Sequence, residues 1–103
     1  MKKEIIFKQM DASEAAKQKI EQKCKKIERY GLTAMECHIT ISSERYLEKA
    51  DVVVTAKNFR AHGVGSTSDL YASIDQAFQK VEKTVRRFHD KNLRNSRHEQ
   101  ARV

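Results

Sequence analysis

The hydrophobic positions of this chain switch between two spacings, one suited to strands and one to helices. Lys3 to Gln9 reads as a short first strand. Asp11 or Ser13 then offers an N-cap, with Glu14 in the first turn. From Ser13 to Tyr30 the pattern is helical: Ala16, Ile20, Cys24 and Ile27 share one narrow face, and Gly31 supplies a stop. Glu36 to Ser43 alternates, with Cys37, Ile39 and Ile41 on one side and His38, Thr40 and Ser42 on the other. That predicts a half-buried strand. The polar stretch Ser43 to Lys49 reads as a hairpin loop, and Ala50 to Lys57 as a valine-rich strand with Val52, Val54 and Ala56 inward. Asn58 marks a turn.

Phe59 to Ser66 continues as a further strand whose inward set, Ala61, Gly63 and Gly65, is very small. Such a strand lets a helix approach the sheet closely. Ser68 or Asp69 caps that helix, and Tyr71, Ile74, Phe78, Val81, Val85 and Phe88 form its apolar seam. Beyond about Lys91 the apolar residues nearly vanish, so Asn92 to Val103 reads as a frayed basic tail and residues 1–91 as one domain. The order β-α-β-β-β-α predicts an α+β fold, with a four-stranded mixed sheet and both helices on one face.

Composition changes this picture in one respect. A chain of 103 residues suits one domain with a two-layer core. A formal net charge of +7 speaks to partners rather than to fold, and polyanions are the default partner. A membrane is disfavoured because the chain has no long apolar run; Ile5, Ile6 and Phe7 behind two lysines are too short for a signal-peptide core. The expected location is therefore the cytoplasm.

The positive charge is patterned. On the first helix Glu14, Glu21 and Glu28 flank the apolar face on one side, and Lys19, Lys23 and Lys26 on the other. Lys17 and Lys25 can pair with Glu21, but Lys19, Lys23 and Lys26 have no acid three or four residues away. On the second helix Lys80, Lys83, Arg87, Lys91 and Arg94 fall within an arc of about 80° away from the seam. Lys80, Lys83 and Lys91 again have no acid at that spacing and Arg87 has only Asp90, whereas Arg86 is flanked by Glu82 and Asp90. Two basic stripes without local acids point to an external anion; a solvated lysine face is the plainer alternative. The outward sheet residues His38, Thr40, Val53, Thr55, Arg60, His62 and Val64 include no aromatic pair, which argues against base stacking on the strands.

Catalytic chemistry finds no support. His38, His62, His89 and His98 are scattered, with no metal-ligand spacing. Gly63-Val64-Gly65 lacks the rest of a phosphate loop. Cys24 and Cys37 form no Cys-x-x-Cys pair and read as two small buried residues. No enzyme activity, cofactor, metal or small-molecule substrate is expected.

Asp69-Leu70-Tyr71-Ala72-Ser73-Ile74-Asp75 resembles the Asp-(Met/Leu)-Tyr-Ala-(Ala/Ser)-Ile-Asp signature of the ribosome hibernation promoting factors. That family includes the ribosome-associated inhibitor and is also known as the sigma-54 modulation proteins. Ala50 to Val54 is similar to its third strand and Lys23 to Arg29 to the end of its first helix, so the resemblance covers about residues 4–93. It implies a fold akin to double-stranded RNA-binding domains. It also implies binding between head and body of the small ribosomal subunit, over the mRNA and tRNA sites, which idles ribosomes in stationary phase or stress. The family's basic positions match Lys23, Lys26 and Arg29 on the first helix, and Lys80, Lys83, Arg87 and Lys91 on the second. These are the expected RNA contacts, with the small subunit and its rRNA as partner and the chain monomeric off the ribosome. The chain is similar to the short form, without the dimerising domain of long members. The competing reading is a protein-interaction module that pairs through its helix seam, and a generic duplex RNA binder stands third.

Overall fold

The computed structural model describes the backbone of residues 1–101 and the side chains through Asn92. The elements are β1 (Lys2–Lys8), α1 (Glu14–Glu28), β2 (Glu36–Glu44), β3 (Leu47–Ala56), β4 (Phe59–Thr67) and α2 (Leu70–Ala101). The sheet order is β1-β2-β3-β4, parallel between β1 and β2 and antiparallel elsewhere. The parallel step is the one bridged by α1, as a crossover requires. This is the α+β arrangement that the alternating periods predict.

Local chemistry explains where the elements begin and stop. Ser13 caps α1 through its Oγ, which accepts from the Ala16 N–H at 3.2 Å. Gly31 ends the helix: its φ of 65° turns the chain out of the helical path, and its N–H donates to the Glu28 carbonyl at 3.0 Å. For α2 the cap is Asp69, whose Oδ1 accepts from the Tyr71 N–H at 3.1 Å.

Two boundaries differ from the sequence pattern. The polar stretch 43–49 is mostly strand. β2 and β3 stay paired out to Glu44 and Leu47, and only Arg45 and Tyr46 turn the chain. A ladder is held by backbone hydrogen bonds, so it outlasts the apolar alternation that reveals it. Likewise α2 runs through Ala101 rather than giving way to a tail at Asn92. The stretch 92–101 has no glycine or proline, and extending a formed helix adds a hydrogen bond per residue fixed. Residues 102–103 lie outside the described residues.

Both helices pack on one sheet face. The core joins Ala16, Ile20, Cys24 and Ile27 of α1 to Cys37, Ile39, Ile41, Ala50, Val52, Val54 and Ala61 of the strands. Ile74, Ala77, Phe78, Val81 and Val85 of α2 complete it. The Phe88 ring closes one end against Phe59 at 4.5 Å between centroids. Tyr71 departs from the expected seam; it is 40% exposed. Cys24 and Cys37 are fully buried with their sulfurs 3.8 Å apart. The Cys24 sulfur and burial push the Cys37 thiol well up, so it stays protonated.

The small residues of β4 have the consequence expected of them. A Cβ at Gly63 would strike the Ala77 carbonyl and come within 3.0 Å of Val81 Cγ2; one at Gly65 would strike the Ser73 carbonyl. The α2 backbone therefore rests on β4. At that contact the buried Ser73 Oγ donates to the Glu48 carbonyl at 2.6 Å and accepts from the Thr67 N–H at 3.0 Å. One hydroxyl thus fastens the start of α2 to both β3 and β4, and sets the position of every side chain farther along the helix.

Candidate nucleic-acid interface

Because α1 and α2 lie side by side on the sheet, their outward surfaces form one helical layer. At 100° per residue Asp75, Glu82 and His89 recur every seven positions on the α1-facing flank of α2. There the acids meet the lysines of α1. Asp75 Oδ2 lies 3.0 Å from Lys19 Nζ, and its Oδ1 3.0 Å from Lys23 Nζ. Glu82 Oε2 is 3.5 Å from Lys26 Nζ, and the Tyr30 hydroxyl donates to Glu82 Oε1 at 3.4 Å. Partial burial opposes charge on Asp75, but the hydrogen bonds from the two lysines outweigh it and hold the carboxyl below its ordinary range. Lys19 also lies over the Tyr71 ring, 5.6 Å from its centroid.

This corrects the reading of α1 as an unpaired stripe. Lys19, Lys23 and Lys26 lack acids along their own helix, yet they find them across the groove. Intrahelical spacing cannot register a partner more than fifty residues away in sequence. Lys80 is also engaged, since its Nζ donates to the Val64 carbonyl of β4 at 2.7 Å.

The other expected contacts remain open. Arg29, Lys83, Arg87 and Lys91 are exposed and make no ion pair among the described residues. Lys83, Arg87 and Lys91 follow one another at four-residue steps along α2, about a third of a turn from the acidic flank. Arg29 and Lys26 line a groove of ≈ 360 Å³ with Tyr30, Glu82 and His89. Tyr30 and His89 meet there edge to face at 5.4 Å.

Arg86 is the residue that sequence reasoning set aside and the structure brings back. Of the two acids that flank it, Glu82 is taken by Lys26 and Tyr30 and Asp90 lies 3.4 Å from His89 Nδ1, and Arg86 is exposed without an ion pair among the described residues. Lys17 pairs with Glu14, at 3.9 Å, rather than with Glu21. Among the described residues no His, Cys, Asp and Glu cluster is placed to hold a metal, and no helix is long and apolar enough to cross a membrane.

The chain's relatives bear on what such a layer is for. Residues 4–93 match the family described as sigma 54 modulation protein / S30EA ribosomal protein. The chain belongs to that family. It is a family of ribosome-associated proteins without a catalytic role. No curated protein sequence matches the chain. Among solved structures the fold is similar to the N-terminal domain of Thermus thermophilus Protein Y, with 24% identity and a TM-score of 0.79, over 85% of this chain and 99% of that one. It is similar also to a ribosomal subunit interface protein from Coxiella burnetii, with 19% identity and a TM-score of 0.76, over 85% and 97%.

Within the stretch Asp69 to Asp75 the structure gives four residues a task. Asp69 caps α2, Ser73 fastens it to two strands, Ile74 enters the core, and Asp75 holds Lys19 and Lys23. Tyr71 stays at the surface beside Lys19.

Proposed function

We propose that the protein binds the small ribosomal subunit through its helical layer, over the mRNA and tRNA sites, and holds ribosomes inactive in stationary phase or stress. It acts in the cytoplasm and is monomeric off the ribosome. The observation that carries this reading is the run Lys83, Arg87 and Lys91 with Arg86 and Arg29: exposed cations without an ion pair among the described residues, in a chain of a ribosome-associated family. Cations in that state contact phosphates, which supply affinity and position rather than sequence recognition. Lys23, Lys26 and Lys80 contribute after exchanging internal partners for phosphate, so each adds less.

The competing reading, a module that pairs through the α2 seam, loses its basis. Ile74, Phe78, Val81 and Val85 are buried against the protein's own sheet. The test is sedimentation with purified small subunits through a sucrose gradient at low and high salt, beside in vitro translation. Co-sedimentation that fades as salt rises, with translation inhibited, is the expected outcome. Protein that stays at the top of the gradient at low salt refutes the proposal.

A further inference from the structure

The face of the sheet away from the helices carries a second cationic cluster. Strand register sets Lys8, Ser42, Lys49 and Ser66 in one row across the four strands. Neighbouring strands lie about 4.8 Å apart, so Lys8 and Lys49 flank Ser42 at a separation of about 10 Å. Lys8, Thr40, Ser42, Lys49 and Asp51 line a depression of ≈ 320 Å³. Its one acid is already engaged, since Asp51 Oδ1 accepts from His62 Nε2 at 2.9 Å. Neither lysine makes an ion pair among the described residues.

The hairpin tip lies at the same end of the sheet. Tyr46 is 89% exposed and Leu47, next to it, 51%. Arg45 occupies the first position of the two-residue turn at φ 50°, a left-handed slot that glycine ordinarily fills. A nearly bare ring beside cations is the combination by which proteins hold single-stranded nucleic acid, with bases stacked on the aromatic and phosphates on the cations. The four-stranded face alone lacks such a ring; the hairpin supplies it from the edge.

We infer that the hairpin tip and the Lys8–Lys49 depression form a second RNA contact that takes an unpaired nucleotide. Its base stacks on Tyr46 over Leu47, and its phosphate sits between Lys8 and Lys49 with the Ser42 hydroxyl donating to it. The inference rests on the ribosome-binding reading for its biological setting, but it uses a surface on the opposite side of the sheet from the helical layer. Glu44, exposed at the turn, is the opposing charge that a bound strand must pass.

The test uses the full chain and a fluorescein-labelled oligouridine of about twelve nucleotides, read by fluorescence anisotropy at several salt concentrations. Tyr46→Ala is expected to weaken binding about tenfold and by the same factor at every salt, because stacking is not electrostatic. Tyr46→Trp is expected to restore it. Lys8→Gln with Lys49→Gln lowers the salt slope by about 0.7, the value for the one single-strand phosphate that the two lysines share. Wild-type binding by Tyr46→Ala, or failure of Tyr46→Trp to rescue, overturns the inference. So does a Tyr46→Ala variant that loses ribosomes but keeps the oligonucleotide, since the hairpin would then dock on protein. Ribosome pelleting of the unaltered chain reports separately on the helical layer. Tyr46-dependent oligonucleotide binding without pelleting would leave this contact standing while the ribosome reading fell.

Discussion

Neutralising Lys83 and Arg87 together is the most informative perturbation of the helical layer. Neither side chain makes an ion pair among the described residues, and both are exposed. Lys83→Gln with Arg87→Gln therefore removes no internal interaction. It relieves a like-charge pair at i,i+4, so stability should stay within about 0.5 kcal/mol of the parent. Binding should respond very differently. Each phosphate contact adds about 0.9 to the slope of log K against log salt, so losing two flattens it by about 1.8. In the counterion-release limit the variant is then weaker by about 200-fold at 50 mM salt and by about 20-fold at 200 mM. Pelleting with small subunits across that salt range measures both the offset and the slope, and urea unfolding checks the fold. Parallel log–log lines for parent and variant would refute the reasoning, because they would mean that these cations meet no phosphate. The same exchange at Lys23 and Lys26 should flatten the slope less, since Asp75 and Glu82 already compete for those ammonium groups.

Two further outcomes follow from the geometry. Gly65→Ala places a methyl group on the Ser73 carbonyl and 2.9 Å from Gln76 Cβ, where backbone cannot yield without lifting α2. The expected loss is about 3 kcal/mol, the upper end for overpacking, seen as a lower midpoint in urea; an unchanged midpoint would place α2 farther from β4 than it lies. Asp75→Asn removes a carboxylate whose folded pKa is lowered by Lys19 and Lys23. A lowered carboxyl contributes stability above its unfolded value of about 3.9, and that contribution is lost as pH falls through the folded value. With the side chain 39% exposed the effect is held to about 1 kcal/mol. The variant should therefore lose stability at neutral pH and show a flatter acid limb in unfolding. It should also bind ribosomes more tightly at low salt, because Lys19 and Lys23 are released. An acid limb that matches the parent's would show that Asp75 holds no lysine in solution.

The two acids in the groove give the helical layer graded cations. Lys19, Lys23 and Lys26 already hold an anion, whereas Lys83, Arg87 and Lys91 hold none among the described residues. In the proposed ribosome complex an RNA strand would meet the open group without competition, and only a strand well placed over α1 would displace Asp75 and Glu82. Such exchange lowers affinity for arbitrary polyanions more than for a partner that fits both helices at once, the general form of specificity as a difference of affinities.

The sequence by itself determined the order of elements, the fold class, the stop at Gly31 and most of the buried set, and it narrowed each helix cap to two candidates, Asp11 or Ser13 and Ser68 or Asp69. Each of these follows from local chemistry or from a period of two or 3.6 that survives in one dimension. It also held the family signature and the close approach of α2 to β4, since Gly63 and Gly65 have few other uses in a strand. Tertiary structure decided what happens between elements. It paired Lys19 and Lys23 with Asp75 and Lys26 with Glu82, left Arg86 open, set Lys80 on a strand carbonyl, and turned the α2 seam inward. It extended the hairpin until only Arg45 and Tyr46 remained to turn it. Charge acts through space, whereas helical spacing reports only neighbours along the same chain segment. A lysine without an acid three or four residues away is therefore only a candidate for a free cation; which ones stayed free was settled when the two helices came to lie side by side.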